Sequence, residues 1–186
     1  LSLVLLTFMG VSSIANASIN DNVFNAHLSG EGDTFSLFED SYDENEGFVY
    51  TADVKFNEGQ AAGLVFGAIE NTSLYVFNVD RFENKVKLLH FTKEDTWKAN
   101  ELYVAPFIGN DKTTQGEYSM INPKVRTLDK INLKVVVSYD STNAYVECFA
   151  DNIVRFDIDA PLRIENYTGG KLGLNVFNAN VDLNNI

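Results

Sequence analysis

The chain has 186 residues, of which 45% are hydrophobic and 22% charged, with 14 Phe and 8 Tyr. That is enough for one domain with a real core and too apolar for wholesale disorder, and the aromatic excess favours strands over helices. The formal charge of −12 argues against nucleic acid or an anionic membrane as partner, since both are polyanions, and is compatible with a neutral or cationic ligand or with Ca2+.

The chain opens on Leu1 rather than Met. Leu3 to Val11 is a short apolar run, and Ala15-Asn16-Ala17 after it has the small-x-small form of a cleavage site. Residues 1–17 therefore read as a secretory signal whose charged start is missing, and a secreted protein is expected. At about ten residues the run is too short to span a bilayer. The other reading is a buried N-terminal strand. No second long apolar segment follows, so no membrane span is expected. Residues 18–186 read as a single module. Ser18 to Asp33 is polar, a linker or first edge strand, and Phe35 to Phe38 a short strand. The acidic run Glu39 to Glu46 reads as a solvated loop or, with Asp40 and Asp43 as candidate ligands, a structural Ca2+ site, because oxygen-rich loops suit that ion. It lacks the spacing and central glycine of an EF-hand.

From Phe48 to Phe56, bulky residues alternate with Val49, Thr51, Asp53 and Lys55. That period of two predicts a strand with one wet face. Asn57-Glu58-Gly59 predicts a reversal, Gly63 to Ile69 a strand covered on both faces, Asn71-Thr72-Ser73 a turn, and Leu74 to Asp80 a third strand. Together they form an antiparallel meander. Lys85 to Phe91 is a further strand, with His90 a packed or surface residue of it. Thr92 to about Arg126 reads as an aromatic insertion, longer than a hairpin loop, with Trp97, Tyr103, Phe107 and Tyr118. Trp97 sits among Lys93, Glu94, Asp95 and Lys98. Such a ring stacks on the C–H face of a sugar, or else pins the insertion to the body. Pro106 and Pro123 argue against a helix or central strand at those points. Ile131 to Tyr139, Tyr145 to Phe149 and Ile153 to Ile158 are strands, the last two joined by a hairpin at Ala150-Asp151-Asn152. Asn166 to Gly170 is a loop, and Gly173 to Phe177 and Val181 to Ile186 are the closing strands. No stretch of ten residues keeps a 3.6 period. About ten short strands predict an all-β, two-sheet antiparallel sandwich of jelly-roll, concanavalin-like type.

Catalytic constellations are absent from the sequence. His27 and His90 are the two histidines and Cys148 the lone cysteine, so zinc is poorly supplied and no internal disulfide can form. Val146 and Ala150 share the face of Cys148, which makes it a small buried hydrophobe. No Gly-x-Ser-x-Gly elbow, phosphate loop or dinucleotide fingerprint occurs. A glycosidase needs two carboxylates across the bond, yet the Glu-x-Asp-x-x-Glu strand motif of jelly-roll glucanases is missing. No catalytic residue is assigned, and no cofactor beyond the Ca2+ above.

Tyr50 to Val54, Gly59 to Phe66, Tyr75 to Asp80, Lys85 to Leu89 and Gly173 to Ala179 resemble the carbohydrate-binding modules of family 66. Those are jelly-roll modules of family 32 glycoside hydrolases, the levanases and inulinases. A looser likeness is to laminin-G-like sandwiches. The resemblance covers most of the chain after about residue 30, apart from the insertion at 92–126. It implies a non-catalytic, fructan-directed module whose partners are a polysaccharide or oligosaccharide and an adjoining glycosidase domain. It also implies a ligand site at Tyr75, Asn78, Asp80, Asn175 and Phe177, to which the reading of the insertion adds Trp97. The family pattern commonly has glutamate where Thr51 stands, arginine at Gly67 and a tryptophan-like ring at Phe177. A structural sandwich packed against a glycosidase domain, or a Ca2+-dependent adhesion module, are the alternatives. The enzyme blocks of family 32 do not occur; Glu147-Cys148 is a superficial echo of one of them.

Overall fold

The structure is a computed structural model and describes residues 3–6, 13–14, 18–20, 23–43, 47–107, 130–140, 143–151, 153–154 and 161–186. Its elements are all strands: β1 (Leu3–Leu6), β2 (Ser13–Ile14), β3 (Ser18–Asn20), β4 (Val23–Tyr42), β5 (Phe48–Ile69), β6 (Ser73–Asp80), β7 (Lys85–Lys93), β8 (Trp97–Pro106), β9 (Ile131–Tyr139), β10 (Ala144–Ala150), β11 (Ile153–Val154), β12 (Leu162–Ile164) and β13 (Gly170–Asn184). Among the described residues no helix is long and apolar enough to cross a membrane.

Three strands organise the molecule. β4 has 20 residues, β5 has 22 and β13 has 15. β13 lies between the other two and pairs antiparallel with both along its length. Halfway along, all three turn a corner together. Gly32, Gly59 and Asn178 adopt left-handed backbone there, at φ 65°, 98° and 46°, and β13 slips register at Phe177/Ala179 against β4 and at Asn180/Val181 against β5. Such bulges bend a strand and re-aim the residues beyond them. Past the corner each long strand enters a different layer. One layer joins the far halves of β4, β13 and β5 to β6, β7 and β8. The other runs from β5 through β9 to β10, with β11 and β12 beyond. The result is an all-β antiparallel sandwich.

The corner corrects the sequence reading. Asn57-Glu58-Gly59 does not reverse the chain, so Phe48 to Ile69 is one strand rather than two. β13 holds β5 on both sides of the glycine, through Ala179 opposite Gly59 and Val176 opposite Ala62. A Cβ on Gly59 would run into Ala179 and the Asn178 carbonyl, so the glycine serves close approach as well as its φ. For the same reason the stretches at 18–33 and 35–38 are mostly one strand, and the two expected closing strands are also one. The turn at 71–73 is as expected, with Asn71 at φ 58° and the Thr72 N–H donating to the Ile69 carbonyl at 3.0 Å.

The expected insertion is also revised. Trp97 to Pro106 is the edge strand β8, paired with β7 from Lys93 opposite Trp97 to Lys85 opposite Pro106. Pro106 falls on the last residue of that strand, where a missing N–H is tolerated. Phe107 is buried, and its N–H donates to the Asn84 carbonyl at 2.8 Å. The remainder, with Tyr118 and Pro123, lies outside the described residues. Of the expected leader, Leu3–Leu6 pairs with Phe35–Phe38 and Ser13–Ile14 with Leu28–Ser29, adding to the free edge of β4.

The main core lies between the layers. Leu64, Phe66, Phe77, Leu88, Leu174 and Val176 meet Tyr50, Val54, Leu133, Val135, Val146 and Cys148 across it. The thiol of Cys148 is fully buried, and burial first, with the nearby Glu147 charge second, pushes its pKa well up. It is therefore packed and unreactive, as expected.

Candidate functional site

From β4 to β6 the first layer is buried on both faces, β7 is partly so, and the edge strand β8 is mostly exposed. Facing away from the main core, Phe35, Leu37, Val65, Ala68, Leu74, Val76, Leu89 and Phe91 form a second cluster, with Trp97 packed at its side. Strand register orders this outer face into rows. One row runs Leu37, Gly173, Val65, Val76, Leu89; the next Phe35, Asn175, Gly63, Asn78, Lys87; the next Asp33, Phe177, Ala61, Asp80, Lys85. The face thus grades from wholly apolar to mixed and charged within three residues of each strand. Down its middle runs a trough in side-chain size, Gly173, Gly63 and Ala61, which is filled by the neighbouring strands and buried rather than open. Gly63 has no room for a side chain: a Cβ would meet the Phe77 carbonyl and Asn78.

The middle row carries the feature of most interest. Asn175 is fully buried; its amide NH2 donates to the carbonyls of Thr34 and Val176 at 3.2 and 3.3 Å. Among the described residues its Oδ1 has no hydrogen-bond partner, and neither has Oδ1 of buried Asn78 two strands away. Buried polar atoms are paired in the great majority of cases, and each exception costs about 1–3 kcal/mol. Two such acceptors flank one glycine on one face. In the row below, Asp33 sits beside Asn175. Burial pushes the Asp33 carboxyl up to about 6, against the opposing pull of its Asn175 hydrogen bond. Asp80 is spoken for: Oδ1 accepts the N–H groups of Phe82 and Glu83 at 2.9 Å each, and Oδ2 accepts from Gln60 at 3.1 Å and faces Lys87 Nζ at 3.4 Å. It holds the β6–β7 turn and fixes the Lys87 ammonium.

Of the six ligand residues expected from sequence, Asn78, Asp80, Asn175, Phe177 and Trp97 share this face. Phe177 is half-buried, opposite Asp33 and Ala61. Trp97 packs 6.3 Å from Phe35 with Lys93 Nζ 5.9 Å from its ring centroid, so it closes the apolar end of the face. Tyr75 is not among them. It points into the main core, stacked on His90 at 4.4 Å and 7° and on Phe66 at 5.4 Å. The strand period explains this, because Tyr75 and Asn78 are three apart and must face opposite ways. His90 is packed, as expected, and burial lowers its pKa. Sequence reasoning missed Asp33, Gly63 and Lys87; only the cross-strand register brings them to Asn175 and Asn78. Among the described residues no three carboxylate, imidazole or thiol groups converge on a metal-sized site. Asp43 is exposed, and the side chain of Asp40 lies outside those described.

No protein-family model matches the sequence, and no curated protein does either. Among solved structures, a carbohydrate-binding module of family 66 from Bacillus subtilis superposes with TM-score 0.63 over 97% of this chain and 91% of its own, at 18% identity. The fold is that of the family 66 modules. An alginate lyase in complex with an alginate trisaccharide matches at TM-score 0.47 and 8% identity over 99% of this chain and 96% of its own. Within the family 66 fold, the departures expected from sequence acquire physical causes. Gly67, where arginine is common, sits at φ 57°, and a Cβ on it would lie 2.6 Å from Cε2 of Tyr167. The Tyr167 ring occupies the space a side chain would leave by. Thr51 is half-buried on the outside of the second layer, paired with Lys134 and remote from the trough in register.

Proposed function

We propose that this chain is a non-catalytic carbohydrate-binding module that takes its sugar at the outer face of the first layer. One observation carries the reading: two buried amide oxygens, of Asn175 and Asn78, without partners among the described residues, on either side of Gly63. A sugar hydroxyl is the donor that such acceptors lack, and a few placed polar groups beside apolar ones are what sugar recognition requires. The half-buried ring of Phe177 marks where the face opens, with Asp33 and Lys87 beside it. Such a module needs no reactive centre. Its role is to hold an attached enzyme on a polymer and raise local concentration. Fructan as ligand, a family 32 glycosidase as neighbour, secretion and the 1–17 leader belong to this same proposal and rest on the resemblance.

Affinity electrophoresis against levan, inulin and a panel of glucans tests it. Retardation by at least one polymer, abolished in Asn175→Ala without loss of the folded state, is the expected result; mobility unchanged by every polymer overturns it. The second reading, a sandwich that packs on a glycosidase domain and binds no sugar, is favoured by Tyr167 filling the space beside Gly67. It requires an apolar docking surface. The candidate is the outside of the second layer around Val49, which is 66% exposed.

A further inference from the structure

The corner of the three long strands holds a cleft of about 420 Å3, next along β13 from Phe177. Its lining includes Ser29, Glu31, Glu58, Gly59, Asn178 and Asn180. The polar groups there are sorted by their existing bonds. Asn178 Oδ1 accepts the Gly32 N–H at 2.8 Å, and Asn180 Oδ1 accepts from Asn57 Nδ2 at 3.1 Å. With both oxygens committed, what these side chains offer a ligand is their NH2 donors. Glu31 and Glu58 are exposed and supply acceptors only. The bulge at Asn178 and the left-handed glycines hold this set on rigid strands rather than on a loop, so little ordering is needed on binding.

We propose that the corner cleft is a second contact for a neutral polysaccharide, binding the hydroxyls of a residue further along the chain whose other end meets the outer face of the first layer at the half-buried Phe177. This rests on the trough reading. Neighbouring hydroxyls of a sugar each both donate and accept, which matches carboxylates set beside amide NH2 groups. The two carboxylates repel acidic glycans, so uronate polymers are excluded by charge. Asn175 and Asn180 are five residues apart on β13, at most about 16 Å along an extended strand, a span that a short oligosaccharide bridges. Two linked contacts on one polymer give avidity that neither provides alone.

The test compares wild type, Asn175→Ala and the double variant Glu58→Gln/Asn180→Ala by affinity electrophoresis, with EDTA present, in levan, inulin, mixed-linkage glucan and alginate, and titrates each protein with the monosaccharide of whichever polymer retards it. The corner variant is expected to weaken polymer retention about tenfold, the effect of losing one or two hydrogen bonds of a bivalent contact. Its monosaccharide affinity should stay within about twofold of wild type. Wild type should ignore alginate. Retention of the corner variant equal to wild type, or preferential retention by alginate, overturns the cleft assignment and leaves the trough reading standing. Absence of retention of wild type by all four polymers overturns both. Loss of retention caused by EDTA overturns direct recognition of hydroxyls by these side chains.

Discussion

The two layers of this sandwich treat their outer faces differently. In the second layer, β9 up to Val137 and all of β10 alternate between buried and part-exposed residues, and the outer side is wet. Its buried acid, Asp53, is fully served: Lys130 donates at 2.7 Å, Asn132 at 2.9 Å and Asn185 at 2.6 Å. Burial pushes the Asp53 carboxyl up, but these partners outweigh it and hold the pKa below the ordinary value. In the first layer, β6 is buried at every position from Leu74 to Asp80, and Asn78, shut in there, keeps an oxygen unpaired among the described residues. A sheet covered on both sides gains apolar burial twice, so leaving acceptors unsatisfied there is a local loss that stability alone does not explain. Under the proposed reading, the contrast separates a layer built for folding from one that also presents a site.

The largest expected effect comes from placing a charge on each outer face. Val65→Asp, on the buried outer face of the first layer, should cost about 4 kcal/mol or more in urea denaturation, because the carboxylate finds no partner. Thr51→Asp, on the outside of the second, should stay within about 0.5 kcal/mol; equal costs would erase the distinction between the layers. Gly67→Arg should destabilise by roughly 3 kcal/mol, from the left-handed backbone and the collision with Tyr167, and should not confer fructan retention. A variant that is stable and gains binding would show that the ring moves aside. Smaller again, Asn175→Ala should remove polymer retention while changing unfolding free energy by under about 1 kcal/mol, since the amide it deletes has an unsatisfied oxygen to lose. Asn132→Ala, which strips a bond from Asp53, should do the reverse.

A separate effect concerns pH. The folded pKa of Asp33, about 6, lies above that of an unfolded aspartate, about 3.9. Between those values the folded state binds more protons, so the contribution of Asp33 to stability falls as pH rises from about 4 to 6 and stays low above that. Asp33→Asn should therefore raise the melting temperature at pH 7, and the gain should shrink toward pH 4. A gain independent of pH would mean that Asp33 is not held in a desolvated place.

How much was legible in the sequence divides along the same line. β10 could be read from alternation, because one wet face writes a period of two into the chain; Ile131 to Tyr139 reads as a buried strand, and β9 instead has one wet face. The class of fold, its antiparallel sense and the burial of Cys148 came with it. The corner could not be read: Asn57-Glu58-Gly59 has the composition of a reversal, and only pairing with β13 on both sides turns it into a bend. Of the six expected residues, Asn78 with Asp80 and Asn175 with Phe177 share one face because each pair keeps the i, i+2 spacing of a strand, and Trp97 reaches that face from β8. Tyr75 breaks that parity and went to the core. Asp33, Lys87 and Gly63 are 142, 88 and 112 positions before Asn175 by sequence number; a single sequence carries no sign that such residues share a row.

Cys148 has a practical use that comes from its position. It is the lone thiol in the sequence and faces the interior from β10, so a thiol-specific reagent can reach it only after β9 and β10 part from the opposite layer. The rate of modification then clocks the opening of the sandwich itself, and a polysaccharide that clamps the long strands would slow that clock without touching the sulfur.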